Sequence, residues 1–254
     1  MDLKDTVAVV TGGCTGIGRA TALALADAGV GGIAASWTRS ADAAEALVAD
    51  LAETGCQVLT AQADVSEDPA VRAFAGSVLE RFGRVDVLVN NAGTTRPVPE
   101  SDLEGLDDAV WHELLNVNVV GAFRSARAFA PALREAAGAV VNVSSISAYR
   151  AGGSSIAYGV SKAAMLQLTR NLASALAPEV RVNAVAPGTV ATRWQTALHG
   201  EDGFAERAQA ESRNVPLRRT SAPEHVAQAV LGLLGMDMVT GETVIVDGGK
   251  HIRY

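Results

Sequence analysis

The sequence predicts one α/β domain, in which a doubly wound parallel sheet of about seven strands carries helices on both faces. The chain has 254 residues, of which 48% are hydrophobic, and this is enough for one domain with a sizeable core. Short β-branched apolar runs alternate with longer stretches that suit helices, as in βαβ units. The first run leads directly into a glycine-rich turn and a helix. We therefore predict a single domain over residues 1–254.

The strands are predicted from short apolar runs bounded by turn residues. Residues 6–10 (TVAVV) are apolar and mostly β-branched, which suits a strand buried on both faces of a parallel sheet. Further runs that read as strands follow along the chain. They lie at residues 32–37, 57–62, 85–89, 139–143, 180–186 and 243–246.

The segments between these runs read mostly as helices. Residues 19–28 are rich in Ala and Leu, which are strong helix formers. A long helical stretch at 108–137 should break near Asn116 and Asn118, because Asn competes for backbone hydrogen bonds inside a helix. Residues 221–224 (SAPE) have the form of a capping box that starts a helix ending near 234. Residues 193–220 are polar and predicted to be irregular, and the other predicted helices cover 42–54, 70–82 and 156–176.

The composition argues against several classes of protein. The formal net charge is −7, whereas general binding to nucleic acid or to anionic membranes needs a positive field. Cys14 and Cys56 are too few for a disulfide framework. The first residues (MDLKD) are too polar for a secretory signal, and no apolar stretch is long enough to span a bilayer. We expect a cytoplasmic protein with no nucleic-acid or membrane partner.

A glycine-rich turn joins the first predicted strand to the first predicted helix. Glycines permit a tight turn and let backbone N–H groups approach a phosphate at the helix N-terminus. The alternative interpretation is a βα turn that binds no ligand. We predict that cofactor phosphates bind here, at Gly12, Thr15, Gly16, Ile17 and Gly18.

The end of the second predicted strand bears on the choice of cofactor. In dinucleotide folds an acidic residue here binds the adenosine ribose of NAD, while a nearby Arg accommodates the 2′-phosphate of NADP. The sequence reads Ser-Trp-Thr-Arg-Ser over residues 36–40 and has no carboxylate. We predict that Ser36, Arg39 and Ser40 bind this phosphate, which favours NADP(H), with NAD(H) as the alternative. The other interpretation of Arg39 is a solvated loop residue.

Tyr158 and Lys162 are the centre of the predicted active site. In a helix these residues, at i and i+4, project from one face. A positive charge beside a phenol favours the phenolate and lowers its pKa, so the pair could exchange a proton with a substrate oxygen. Ser145, which follows the fifth predicted strand, could hydrogen-bond the same oxygen. Without its context, Tyr-x-x-x-Lys would indicate only an amphipathic helix.

Several motifs in the same order resemble the short-chain dehydrogenase/reductase family in its compact form of roughly 250 residues. They are Thr-Gly-x-x-x-Gly-x-Gly at 11–18, Asn-Asn-Ala-Gly at 90–93, Tyr-x-x-x-Lys at 158–162, Pro-Gly at 187–188 and Val-Asp-Gly-Gly at 246–249. The resemblance covers essentially the whole chain. It implies a Rossmann-like fold and NAD(P)-dependent oxidation or reduction.

The resemblance also implies roles for individual residues. Tyr158 would be the acid and base, Ser145 would orient the substrate, and Lys162 would hold the nicotinamide ribose and lower the Tyr158 pKa. Asn118 would support a water that relays protons to solvent, whereas Asn116 is interpreted as structural. The remaining cofactor contacts implied by the family are Asp64, Val65, Asn91, Ala92, Gly93, Tyr158, Lys162, Pro187, Gly188, Val190 and Thr192.

The expected activity is interconversion of a carbonyl and a secondary alcohol, with NADPH-dependent reduction of a small ketone preferred. A 3-oxoacyl group on acyl carrier protein ranks lower, because residues 134–137 (REAA) lack the basic patch of such reductases. A silent NADP-binding sensor is a further alternative, although the intact catalytic residues argue against it. An epimerase or dehydratase of the longer related form is disfavoured by the glycine spacing and the short chain.

The surroundings of the site are predicted less precisely. Residues 189–222 are expected to form a substrate loop or lid. The family resemblance implies a homo-oligomer, a tetramer before a dimer, with contacts around 119–137, 161–176 and the C-terminal segment. No metal is expected, because His112, His199, His225 and His251 have no metal-ligand spacing. The pocket could be lined by Thr94, Thr95, Arg96, Tyr149, Arg150, Arg193 and Trp194.

Overall fold

The computed structural model describes residues 1–252, except for the side chain of His199. Seven strands form one parallel sheet. In chain order they are β1 (Val7–Thr11), β2 (Gly32–Trp37), β3 (Gln57–Gln62), β4 (Val87–Asn90), β5 (Ala139–Val143), β6 (Arg181–Pro187) and β7 (Thr243–Val246). Across the sheet the order is β3-β2-β1-β4-β5-β6-β7. The sheet therefore grows outward from β1 in both directions, and the predicted doubly wound architecture is confirmed.

Eight α-helices occur in the described part of the chain. They are α1 (Gly16–Asp27), α2 (Ala41–Leu51), α3 (Asp68–Phe82), α4 (Asp108–Leu115), α5 (Gly121–Glu135), α6 (Ile156–Leu176), α7 (Arg193–Asn214) and α8 (Pro223–Gly235). Short 3₁₀ turns cover Ile146–Ala148 and Lys250–Ile252. Residues 94–106 connect β4 to α4 without a helix or strand, as predicted.

The helices cover both faces of the sheet. Ala8 and Val10 of β1 pack in the same apolar cluster as buried residues of α1, α2 and α8. Val9 points to the opposite face, into a cluster with buried residues of α3, α5 and α6. Side chains alternate between the faces of a strand, so an apolar run such as β1 contributes to both clusters. This explains why the strands read as nearly continuous apolar runs.

The long predicted helix over 108–137 is interrupted at the expected place. A π-helical turn, Asn116–Val120, separates α4 from α5. Such turns insert an extra residue into a helix and are frequent at functional sites. Asn118 lies in this turn and is fully buried. The break that the two asparagines predicted is therefore confirmed.

The prediction of an irregular segment at 193–220 is wrong for most of its length. Residues 193–214 form α7, interrupted at Gly200, whose φ of 72° and ψ of 168° are not helical. Beyond Gly200, the partly or fully buried Phe204, Ala208 and Glu211 recur at helical spacing. The polar composition reflects a helix that is largely exposed rather than the absence of a helix.

The capping box predicted at 221–224 is also wrong in its register. The helix α8 begins at Pro223, and Ala222 is its N-cap residue. The backbone N–H of Ala222 donates to Nδ1 of His225 at 2.9 Å. Ser221 instead pairs with the segment after β6: it forms a β-bridge with Val190, and its carbonyl accepts a hydrogen bond from the N–H of Ala191 at 2.8 Å. Tertiary pairing with residues 190–191 thus displaced the helix start by one residue.

Within residues 1–252, no helix is both long enough and apolar enough to cross a membrane.

Candidate active site

A cleft of about 1220 Å³ opens at the carboxyl edge of the sheet. Open α/β sheets bind ligands at this edge, where the strand order reverses. The glycine turn after β1 lines one part of the cleft, and the segments after β2 to β6 line the rest. Of the predicted site residues, Gly18 and Asn118 lie beneath this surface and all others line it.

The glycine turn has the conformation that phosphate binding requires. Gly12 and Gly16 have φ values of +60° and +52°, in the left-handed region that favours glycine. Thr15 is the N-cap residue of α1 and makes no side-chain capping hydrogen bond. The N–H groups of the first helical turn lack intrahelical partners, so they are suited to an anion. The turn therefore fits a dinucleotide pyrophosphate.

Gly18 contributes by its small size rather than by contact with the cleft. A Cβ atom at this position would lie 2.3 Å from the carbonyl oxygen of Gly12 and 2.5 Å from Nδ2 of Asn91. The same amide of Asn91 donates to the carbonyls of Thr11 and Gly12 at 3.0 Å each. Gly18 thus lets α1 pack against the turn that Asn91 holds.

Asn91, Ala92 and Gly93 line the cleft after β4. The backbone N–H groups of Asn91 and Ala92 both donate to Oγ1 of Thr11 at 3.1 Å. Thr11 therefore ties the end of β4 to the end of β1. Thr11 belongs to the glycine-rich motif at 11–18, but no separate role was predicted for it.

The end of β2 and the loop that follows it line one corner of the cleft, and we call residues 36–40 the β2 corner. The Ser36 side chain is buried, and its hydroxyl accepts a hydrogen bond from the Gly12 N–H at 3.3 Å. This hydroxyl supports the glycine turn and keeps its own hydrogen to donate, so the predicted contact of Ser36 with a phosphate stays a prediction. Arg39 is exposed and lines the cleft. Asp64 and Val65 line the neighbouring wall, where Oδ1 of Asp64 accepts hydrogen bonds from the Ser66 N–H and hydroxyl.

The segment after β6 lines the opposite wall. Pro187, Gly188, Val190 and Thr192 all reach the cleft. Thr192 is the N-cap residue of α7, and its side chain would lie 3.4 Å from a Cβ placed on Gly16. The start of α7 therefore adjoins the glycine turn.

Tyr158 and Ser145 meet in the centre of the cleft. The Tyr158 residue lies in the first turn of α6, where Oγ of Ser155 accepts a hydrogen bond from its backbone N–H at 3.2 Å. Ser145 precedes a 3₁₀ turn, and its Oγ accepts from the Ser147 N–H at 3.1 Å. Burial raises the pKa of Tyr158, and a hydrogen bond with the Ser145 side chain partly opposes this rise. The phenol is therefore protonated at neutral pH.

Lys162 lies beside Tyr158 but contacts the backbone of β5. Its Nζ donates to the carbonyl oxygen of Val143 at 2.9 Å and lies 5.8 Å from the centre of the Tyr158 ring. Burial lowers the pKa of Lys162 from 10.5 to about 8. The predicted net lowering of the Tyr158 pKa by Lys162 is not found, because burial opposes both charged forms.

This burial predicts a pH dependence of stability. The folded-state pKa of Lys162 is below its unfolded value, so the unfolded chain binds more protons between pH 8 and 10.5 and stability rises with pH. We expect the free energy of unfolding of the wild type, relative to Lys162→Met, to increase by about 1–2 kcal/mol from pH 8 to 9.5. Urea denaturation across this range measures the difference, and a flat or falling difference would contradict the prediction.

Asn118 supports the site from below. Its Oδ1 accepts a hydrogen bond from the Thr94 N–H at 2.8 Å, and its Nδ2 donates to the Thr94 carbonyl at 3.0 Å and to Oγ of Ser161 at 2.9 Å. The Ser161 hydroxyl in turn donates to the carbonyl of Tyr158 at 2.8 Å. The side chain of Asn118 thus positions the loop after β4 and the helix of Tyr158. Its predicted support of a relay water stays a prediction.

Two serines beside the predicted catalytic residues were not assigned a role by sequence. Ser144 donates to the carbonyl oxygen of Lys162 at 2.8 Å, while Ser161 links Asn118 to Tyr158. Both are adjacent in sequence to a predicted catalytic residue, and this adjacency is the signal that could have identified them.

The suggested pocket residues divide into two groups. Thr94, Thr95, Arg150, Arg193 and Trp194 line the cleft. Arg96 and Tyr149 do not: Arg96 forms an ion pair with Glu113 at 2.8 Å, and Tyr149 is an exposed residue after the 3₁₀ turn. Arg193 extends to the β2 corner, where its Nη2 donates to Oγ of Ser40 at 2.6 Å.

A charged cluster anchors α7 at the edge of the cleft. The hydroxyl of Thr189 donates to Oε1 of Glu211 at 2.5 Å, and Lys250 forms an ion pair with the same carboxylate. Glu211 and Thr189 are both buried. These contacts join the segment after β6 to α7 and to the C-terminal turn, and no local sequence pattern indicated them.

No metal-binding group is found among the described side chains, which exclude that of His199: no three His, Cys, Asp or Glu residues are suitably grouped there.

Comparison with known proteins identifies the family. Residues 12–251 match the family model described as enoyl-(acyl carrier protein) reductase. The chain is 44% identical to a Streptomyces violaceoruber protein provisionally named ketoacyl reductase 2 of the granaticin polyketide synthase, over 97% of this chain and 96% of that protein. It is 34% identical to the 3-oxoacyl-[acyl-carrier-protein] reductase of Synechocystis, over 97% of each chain.

A solved structure extends this similarity to three dimensions. A provisionally assigned short-chain dehydrogenase/reductase from Burkholderia xenovorans superposes with a TM-score of 0.89, at 36% identity and over 98% of each chain. Together with the cleft and its Ser145–Tyr158–Lys162 cluster, these matches confirm the resemblance. The chain belongs to the short-chain dehydrogenase/reductase family of NAD(P)-dependent oxidoreductases.

Proposed function

We propose that the protein uses NADPH to reduce the ketone of a 3-ketoacyl thioester to a secondary alcohol. The observation that carries the proposal is the cluster of Ser145, Tyr158 and Lys162 in the same cleft as the glycine turn. One ligand bound along this cleft would contact both the phosphate-binding turn and the proton donor.

The chain's own residues supply the proton and the orientation. Bound NADPH would supply the hydride that adds to the carbonyl carbon. The Tyr158 hydroxyl would donate its proton to the carbonyl oxygen, and the Ser145 hydroxyl would hydrogen-bond that oxygen. Because the Tyr158 pKa is raised, the phenol holds this proton at neutral pH. The arrangement therefore favours reduction near neutral pH, whereas alcohol oxidation would need the phenolate.

The proposed substrate class is based on the names of two relatives and not on the charged side chains of α5. Two relatives are named as ketoacyl or 3-oxoacyl reductases, which supports a ketoacyl substrate over the small ketone preferred from sequence. From sequence, the lack of a basic patch at 134–137 ranks a 3-oxoacyl group on acyl carrier protein below a small ketone. Arg124 and Arg127 on α5 bond to Asn116 and Asp68, so this helix offers few uncommitted charges. We propose that the thioester itself is the recognised group.

NADPH is proposed over NADH because of the β2 corner. Residues 36–40 contain no carboxylate to bind the ribose hydroxyls of NAD. The Arg39 guanidinium lines the cleft and has no ion pair among the described side chains. Such a group suits a phosphate dianion.

The test is steady-state oxidation of NADPH and of NADH with one panel of carbonyl compounds. The panel contains 3-ketoacyl thioesters, simple ketones, keto acids and sugars. We expect turnover with the thioesters and a kcat/KM at least about 10-fold higher with NADPH than with NADH. Turnover of simple ketones alone would contradict the proposed substrate class, and a preference for NADH would contradict the proposed cofactor. Tight binding of NADPH with no turnover on any compound would instead support the sensor.

The assembly of the protein, its lid and its location in the cell are further proposals. We infer a homo-oligomer, a tetramer before a dimer. Val120, Phe123 and Val160, in the π-helical turn, α5 and α6, are apolar side chains that are 39%, 41% and 45% exposed, and subunit contacts would remove them from water. We also propose that residues 189–222, which include α7, act as a lid over the cleft, and that the protein works in the cytoplasm.

A further inference from the structure

We propose that Arg193, at the start of α7, forms a second half of the site for the cofactor's 2′-phosphate and thereby sets the preference for NADPH. The inference rests on the proposed use of NADPH. It extends the phosphate site from the β2 corner to a residue about 150 positions later in the chain, on the proposed lid.

The position of Arg193 is the first observation. Its Nη2 donates to Oγ of Ser40 at 2.6 Å, although the two residues are 153 positions apart. Ser40 directly follows Arg39, and all three residues line the cleft. The guanidinium of Arg193 is also close enough to Cys14, in the glycine turn, to oppose the burial that raises the pKa of this thiol to about 11. Arg193 therefore spans the gap between the glycine turn and the β2 corner.

The charge of Arg193 is the second observation. Neither Arg193 nor Arg39 has a carboxylate within ion-pair distance among the described residues. The chain has a net charge of −7, yet two arginines without acidic partners line the same cleft here: Arg193 bonds to Ser40, and Arg39 directly precedes it in the sequence. The Ser40 hydroxyl accepts from Arg193 and keeps its own hydrogen to donate. Two guanidinium groups and a hydroxyl match the acceptor oxygens of a phosphate dianion.

Adjacent structure restricts which phosphate this site takes. The N-terminus of α1 already provides backbone N–H groups for the pyrophosphate. The hydrogen bond of Arg193 goes to Ser40, in the loop between β2 and α2, where dinucleotide folds place the adenosine ribose. The geometry therefore assigns Arg193 to a phosphate on this ribose, which NADPH carries and NADH lacks.

The decisive experiment compares Arg193→Gln with the wild type by calorimetry, using four probes: NADPH, NADH, adenosine 2′,5′-bisphosphate and ADP. We expect the variant to bind NADPH and the bisphosphate about 10- to 100-fold more weakly and to bind NADH and ADP unchanged. Arg193→Lys should lose less affinity for NADPH and the bisphosphate, since lysine keeps the positive charge but cannot make the bidentate hydrogen bonds of a guanidinium. Arg213→Gln removes a charge from an exposed position on the same helix and is the matched control.

The outcomes separate this inference from the proposed function. If Arg193→Gln weakens all four probes equally, Arg193 serves the pyrophosphate and the inference is overturned. It is also overturned if all four affinities are unchanged while the wild type still prefers NADPH, and then the proposed function stands. A wild type that binds NADH as tightly as NADPH would overturn both. Far-UV circular dichroism establishes whether each variant is folded. If Arg193→Gln is not folded, the same four affinities are compared between Arg193→Lys and the wild type.

Discussion

Replacing Tyr158 by Phe is expected to lower kcat for ketone reduction by about 10²–10⁴-fold, because it removes the proton donor. The variant keeps the aromatic ring, so the packing of α6 should be unchanged. The affinity for NADPH should remain within a few-fold of the wild type, roughly 2–3-fold. Steady-state kinetics with a 3-ketoacyl thioester and direct titration with NADPH measure the two effects separately.

Tyr149→Phe is the matched control for this change. Tyr149 is the same residue type, is 47% exposed and does not line the cleft, so its loss of a hydroxyl should leave kcat at the wild-type value. Near wild-type turnover by Tyr158→Phe would show that another group supplies the proton. Equal losses in both variants would point to an effect unrelated to the active site.

Replacing Gly18 by Ala should have the largest effect on folding and on cofactor binding. The new Cβ would lie 2.3 Å from a backbone oxygen, that of Gly12, and 2.5 Å from Nδ2 of Asn91. Neither neighbour can move cheaply, since the Asn91 amide holds Thr11 and Gly12. We expect the free energy of unfolding to fall by about 3 kcal/mol or more, and the displaced glycine turn to lose NADPH affinity.

Gly76→Ala provides the comparison. Gly76 lies inside α3 and is exposed, and nothing lies within 4 Å of the position its Cβ would take. Alanine is the better helix former, so this variant should be more stable by about 0.5–1 kcal/mol. Urea denaturation of both variants tests the pair. Wild-type stability and NADPH affinity in Gly18→Ala would mean that α1 does not pack against the turn as described.

The sequence by itself determined the architecture and the centre of the site. Buried parallel strands need apolar residues on both faces, and this requirement is visible as short continuous runs. The glycines of the turn and the i, i+4 spacing of Tyr158 and Lys162 are likewise local constraints. Such constraints can be read without coordinates because each depends only on neighbouring residues. The break at Asn116 and Asn118 was predictable for the same reason.

Only the tertiary structure decided how the more distant residues are used. It paired the Ser36 hydroxyl with the Gly12 N–H, placed the start of α8 one residue later than predicted and anchored α7 through the buried carboxylate of Glu211. It also placed Arg193 at Ser40, and it buried Lys162 and partly enclosed Tyr158, so that desolvation is the largest influence on both pKa values. These features arise from contacts between segments far apart in the chain and from the loss of water around buried charges. A local pattern contains neither, because both exist only once the chain has folded.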